Sequence, residues 1–169
     1  MISDLYISWE QYHQYIERLA LTVYQSGWQF SQIVCLAKGG LRVGDIFSRL
    51  FRQPLAILSV AAYGGEDNRS RGEVIFSKHL SMTTECLGNR ILLVDDLVDS
   101  GITLDKAIDW LREHHGKEIE EIHTAVIWYK QSSIFSPDYY IEYLPDNPWI
   151  HQPFEIYEKA FLWDNTQKC

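Results

Sequence analysis

The stretch Ile33-Val34-Cys35-Leu36-Ala37 is apolar at every position, and it limits the possible folds more than any other feature of the chain. A strand with one solvated face alternates apolar and polar residues. A run with no polar side chain needs cover on both faces, which is the condition of a strand inside a parallel sheet. Residues 55–62, 91–94 and 124–128 read in the same way, and residues 139–143 supply a fifth candidate strand. Helical periodicities lie among these runs. In residues 9–26, Tyr12, Tyr15, Ile16, Leu19, Ala20 and Val23 form one stripe, with Ser8 and Gln11 placed as a capping box and Gly27 as a stop. Residues 41–51 turn Val43, Ile46, Phe47 and Leu50 to one side, and residues 103–115 do the same with Leu104, Ala107, Ile108 and Leu111. Strands alternating with helices predict an α/β fold: a central five-stranded, mainly parallel sheet flanked by helices.

A chain of 169 residues holds one such domain. Its 23 acidic against 15 basic residues leave a formal charge of −8, which argues against nucleic acid or an anionic membrane as the main partner. No apolar run approaches the ~20 residues of a membrane span. The first residues lack the basic-then-apolar layout of a signal peptide. Cys35, Cys86 and Cys169 have the spacing of neither a disulfide framework nor a zinc site. A cytoplasmic protein is expected.

Chemistry concentrates in residues 91–104. Four apolar strand residues lead into Asp95-Asp96, Asp99 follows, and Ser100-Gly101-Ile102-Thr103 opens a helix. Acids at the carboxyl end of a parallel strand stand where open α/β sheets bind ligands. They suit a vicinal diol or Mg²⁺. The turn after them offers backbone N–H groups, hydroxyls and the positive end of a helix dipole, all of which suit a phosphate, and Gly101 lets backbone approach it closely. Acids beside a phosphate cradle suggest a sugar phosphate. Residues 64–89 break the strand–helix rhythm. Loops beyond ~12–15 residues are usually functional or mobile, and this one carries Arg69 and Arg71, with Val74 to Phe76 as a possible short strand.

The segment Ile91-Leu92-Leu93-Val94-Asp95-Asp96-Leu97-Val98-Asp99-Ser100-Gly101-Ile102-Thr103 resembles the phosphoribosyl-pyrophosphate motif of type I phosphoribosyltransferases. Ala37-Lys38-Gly39-Gly40 resembles their pyrophosphate loop. Residues 144–155, with Trp149-Ile150-His151-Gln152-Pro153, are similar to the purine-covering hood of the xanthine–guanine, or 6-oxopurine, branch. Leu5 to Trp9 is similar to that branch's opening strand and helix. The resemblance runs from about residue 5 to 155. It implies one phosphoribosyltransferase domain over residues 1–169, with a core of about 5–144, a small C-terminal hood of about 145–169 and a long mobile loop at 64–89.

The activity so implied is transfer of the phosphoribosyl group from phosphoribosyl pyrophosphate to xanthine, guanine or hypoxanthine, releasing pyrophosphate, with Mg²⁺ as cofactor. By the same resemblance, Lys38, Gly39, Arg69, Arg71, Asp95, Asp96, Asp99 and the Ser100, Gly101, Ile102, Thr103 turn bind phosphoribosyl pyrophosphate. Asp99 is the candidate for proton exchange with the purine, Lys130 the donor to its exocyclic O6, and Trp149 and Ile150 the base-covering pair. Asp95, Asp96 and Glu155 are the metal candidates, the Ala37–Lys38 peptide is expected cis, and a homodimer or homotetramer is implied. The chain departs from the family pattern at Ala62-Tyr63, at Gln131-Ser132-Ser133 after Lys130, and at His151, which replaces an acid. Two alternatives stay open: an enzyme of this fold for another base, and a non-catalytic sensor of phosphoribosyl pyrophosphate. The residues leave open which purine is preferred, which loop arginine meets pyrophosphate, and what the aromatic tail Ala160-Phe161-Leu162-Trp163 does.

Overall fold

The computed structural model describes residues 4–63 and 73–159. Arg69, Arg71, the first part of the expected mobile loop, the aromatic tail and Cys169 lie outside the described residues. Within them the elements are β1 (Leu5–Tyr6), α1 (Trp9–Gln25), β2 (Gln32–Ala37), α2 (Leu41–Phe51), β3 (Leu55–Tyr63) and β4 (Glu73–Phe76). There follow β5 (Arg90–Val94), β6 (Leu97–Val98), α3 (Ile102–His115), β7 (Glu121–Lys130), β8 (Tyr139–Leu144), β9 (Ile150–His151) and α4 (Glu155–Lys159).

The expected sheet is present, with β3, β2, β5, β7 and β8 parallel in that spatial order. Alternation along the apolar runs feeds two cores at once. Ile33, Cys35, Leu92 and Val94 pack under α1 and α2, while Val34, Leu36, Ile91 and Leu93 pack under α3. This is why residues 33–37 and 91–94 carry no polar side chain. Two short strands extend the plan: β4 closes one edge as an antiparallel hairpin with β3, and β6 resumes pairing along β7 past the end of β5.

The capping box on α1 forms, with Ser8 Oγ accepting from the Gln11 N–H and Gln11 Oε1 from the Ser8 N–H. Leu50 departs from the expected stripe of α2, being 57% exposed. The helix sits closest to the sheet at Gly44, where a Cβ would lie 2.7 Å from that of Cys35, so burial centres on Val43, Gly44 and Phe47 and turns Leu50 outward. Cys35 itself is a packing residue: burial pushes its thiol up to about 12. Among the described residues no helix is long and apolar enough to cross a membrane.

Two features position the site. From β2 the chain steps outward to β3 and then returns across β2 to β5, so the connections leave the neighbouring strands β2 and β5 in opposite directions. Their carboxyl ends flank a crevice, the usual ligand position in an open α/β sheet. The second feature is a separate two-stranded sheet, in which β1 pairs parallel with β9 and hangs the C-terminal segment over that crevice.

Candidate active site

Lys38-Gly39-Gly40 leaves β2 and Asp95-Asp96 leaves β5, side by side. The approach is close: a Cβ on Gly39 would collide with the Asp96 carboxylate, and one on Gly40 would lie 2.7 Å from the Val94 carbonyl oxygen. The Ala37–Lys38 peptide is cis, as the resemblance implies. Lys38 is exposed at the crevice mouth.

Asp95 Oδ1 accepts from the Asp96 N–H at 2.9 Å, and burial, then the Asp96 charge, holds the Asp95 carboxyl well above the usual carboxylate range. Asp96 is only 9% exposed, and Gln152 Nε2 donates to its Oδ2 at 2.6 Å. Asp99, Ser100, Gly101 and Thr103 continue the lining of the same cavity into the start of α3. The N-cap Gly101, at φ 81°, has no side chain to cap that helix, and the Ile102 N–H donates to Ser100 Oγ at 3.4 Å. Backbone donors and a positive helix end together fit a phosphate.

A second cavity opens beyond Leu97 and Asp99, which line both. Lys130, at the end of β7, is 5% exposed on its wall; its Nζ donates to Asp99 Oδ2 at 3.2 Å and lies 5.9 Å from the centre of the Trp149 ring. Trp149 is 52% exposed and Ile150 is buried beside it. The Leu5 and Ile7 N–H groups donate to the carbonyls of Trp149 and His151, so alternation along the strand turns the peptide groups of Ile150 away from β1. Glu155 accepts from Trp149 Nε1 at 3.2 Å and lies 2.7 Å from His151 Nδ1. His151 also lies 3.1 Å from Asp4 and stacks on Tyr6, and hydrogen bonds to Glu155 and then Asp4 raise its pKa.

These two joined cavities, one with acids and backbone donors and one with a buried ammonium beneath an indole, lie in a chain whose residues 8–159 match the phosphoribosyl transferase domain. The chain belongs to the phosphoribosyltransferase family, and it is an enzyme of that class. It is 27% identical over 155 residues, 91% of this chain and 88% of the relative, to the xanthine-guanine phosphoribosyltransferase of Idiomarina loihiensis. The xanthine-guanine phosphoribosyltransferase of Gluconobacter oxydans is 27% identical over 150 residues, 88% of this chain and 83% of the relative. The crystal structure of a purine phosphoribosyltransferase from Pyrococcus horikoshii superposes with a TM-score of 0.72 at 25% identity, covering 90% of this chain and 94% of the other.

This phosphoribosyltransferase thus brings together most of the predicted residues: Asp95, Asp96, Asp99 and the Ser100 to Thr103 turn about the first cavity, with Gly39 against Asp96 and Lys38 exposed next to it in the chain, and Lys130, Trp149, Ile150 and Glu155 about the second. Among the described residues no group of three His, Cys, Asp or Glu side chains gathers as a metal cage. The donor set nevertheless fits Mg²⁺. Two adjacent carboxylates, one strongly destabilised as an anion, gain from a cation, and Mg²⁺ takes one or two carboxylates with substrate oxygens and water completing its octahedron.

Sequence reasoning assigned no role to Gln152 or Ser132, although Gln152 stands inside the quoted hood segment. The Arg42 guanidinium lies 4.5 Å from the Phe154 ring centre and 5.3 Å from that of Trp9.

The Gly101 turn yields a direct expectation. A Cβ there would collide with Ser133 Oγ and lie 2.8 Å from Phe135 Cβ, at a positive φ. Gly101→Ala should lower the unfolding free energy by about 2 kcal/mol in urea titration. Unaltered stability would show that the turn is not held as described.

Proposed function

We propose that this enzyme transfers the phosphoribosyl group of phosphoribosyl pyrophosphate to a 6-oxopurine in purine salvage. The bond from ribose C1 to the pyrophosphate oxygen breaks, a bond from C1 to an unprotonated ring nitrogen of the purine forms, and the base gives up the proton on N7. The observation that carries the reading is Lys130, a buried ammonium at 3.2 Å from Asp99 and 5.9 Å from the Trp149 ring centre. An ammonium has donors and no acceptor, so it recognises a 6-oxo group and rejects a 6-amino group. Trp149 gives the base an aromatic face, and the Ile150 peptide groups are placed to read position 2.

On the phosphoribosyl side, Asp95 and Asp96 accept from the ribose hydroxyls, the Ser100 to Thr103 turn receives the 5′-phosphate, and Lys38 and Gly39 meet pyrophosphate. Asp95 and Asp96 would hold Mg²⁺ together with substrate oxygens, and the ion would supply positive charge against the departing pyrophosphate. Carboxylates near C1 suit the positive charge that develops on the ribose as the bond breaks. Asp99, between the two cavities, receives the proton leaving the base. Arg69 and Arg71 are assigned to pyrophosphate, and Glu155 to a second metal, by resemblance. The same reading carries the expectation of a cytoplasmic homodimer or homotetramer.

Pyrophosphate release, measured with Mg²⁺ and phosphoribosyl pyrophosphate, tests the proposal. Xanthine, guanine and hypoxanthine should support turnover, and adenine and uracil should not. Turnover with adenine or uracil alone would overturn the Lys130 assignment. Binding of phosphoribosyl pyrophosphate without turnover on any base would mark a sensor.

A further inference from the structure

Gln152 spans the wall between the two cavities. It lines the base cavity with Lys130, Trp149 and Ile150, while its Nε2 donates at 2.6 Å to Oδ2 of Asp96, which lines the phosphoribosyl cavity. We propose that Gln152 is a positioning residue that couples occupancy of the base cavity to the orientation of the Asp96 carboxylate. The inference rests on the two-substrate reading above, since coupling needs both ligands.

Asp96 is well fixed in its backbone and poorly fixed in its side chain. Its carbonyl accepts from the Ile127 and Trp128 N–H groups, and its own N–H is held by Asp95. The carboxylate lies against the bare Cα of Gly39, where no side chain can orient it. Among the described residues, the Gln152 amide is thus the side chain that donates to it.

Gln152 in turn is held from the hood. The residue before it accepts from the Ile7 N–H through its carbonyl, Gln152's own carbonyl accepts from the Glu155 N–H, and Pro153 keeps Gln152 extended. The segment carrying Trp149 and Ile150 therefore also aims the amide. Only the Nε2 end can face a carboxylate, which fixes the direction of the group, and Oε1 is left buried without a hydrogen-bond partner among the described residues. A base that settles Trp149 and Ile150 settles this amide, and with it Asp96. Coupling between sites is reciprocal, so bound phosphoribosyl pyrophosphate must favour the base by the same factor.

Calorimetric titration of phosphoribosyl pyrophosphate in Mg²⁺ buffer, with and without 9-deazaguanine, measures the coupling. Carbon at position 9 prevents glycosidic bond formation, so both ligands stay intact. The analogue should tighten binding by about tenfold in the native protein, within the usual range for coupled sites, and by less than about twofold in Gln152→Met, which keeps the volume and loses the donor. A purely structural role would weaken binding with and without the analogue alike and leave the ratio unchanged. Coupling retained in Gln152→Met, or absent from a native protein that binds both ligands, overturns the proposal. A native protein that binds neither ligand overturns the two-substrate reading instead. Should Gln152→Met fail to fold in a thermal melt, Gln152→Asn, one methylene too short to reach Asp96, makes the same prediction.

Discussion

Asp99→Asn should leave the protein folded and lower kcat for its best base by about 10²- to 10³-fold, within the range a positioned proton acceptor contributes. The side chain of Asp99 is 58% exposed at the opening of α3, so its replacement disturbs no core packing. Its carboxylate accepts from Lys130 Nζ at 3.2 Å, and Ser132 Oγ lies 3.5 Å from Oδ1. Asparagine keeps an oxygen that can accept from Lys130 but cannot take up a proton, which separates proton transfer from positioning. Steady-state kinetics at saturating phosphoribosyl pyrophosphate, beside a thermal melt, make the measurement. A change in kcat below about threefold would show that Asp99 holds Lys130 and does no proton chemistry.

Lys130→Met should act on a different quantity, the discrimination among bases. The lysine stem is already packed, with the side chain 6% exposed, and methionine fills most of that channel without a charge. The partner left behind, Asp99, is largely solvated, so the cost to folding stays small. Loss of a charged donor to O6 should remove about 2–3 kcal/mol of binding in the transition state, which is about a 30- to 150-fold fall in kcat/KM for hypoxanthine or guanine. The affinity for adenine, which offers no O6 acceptor and supports no turnover, should change by less than about threefold. An equal fall for every base would show Lys130 to be a structural cation and would leave O6 recognition to another group.

Legibility in the sequence follows the range of the interactions. The Ser8–Gln11 box on α1 spans three residues and forms as read. The strands of the parallel sheet could be read because cover on two faces removes polar side chains from adjacent positions. The acid pair and the Ser100 to Thr103 turn are contiguous, and contiguity let a resemblance reach them. Leu50 shows where the same reasoning fails: its apolar character fits the stripe, but only the closeness of Gly44 to Cys35 decides how α2 is rotated.

The chain by itself determined an α/β domain with a parallel sheet, and the acids and glycine turn at one strand end, because burial and backbone hydrogen bonding act between near neighbours. The tertiary structure alone decided which groups share a cavity. Lys130 meets Asp99 across 31 residues, and Gln152 meets Asp96 across 56. No local preference encodes such pairs. They arise because β7 lies beside β5 and β6 in the sheet, and because β1 draws β9 over the crevice, so that side chains from distant segments are desolvated together and must satisfy one another.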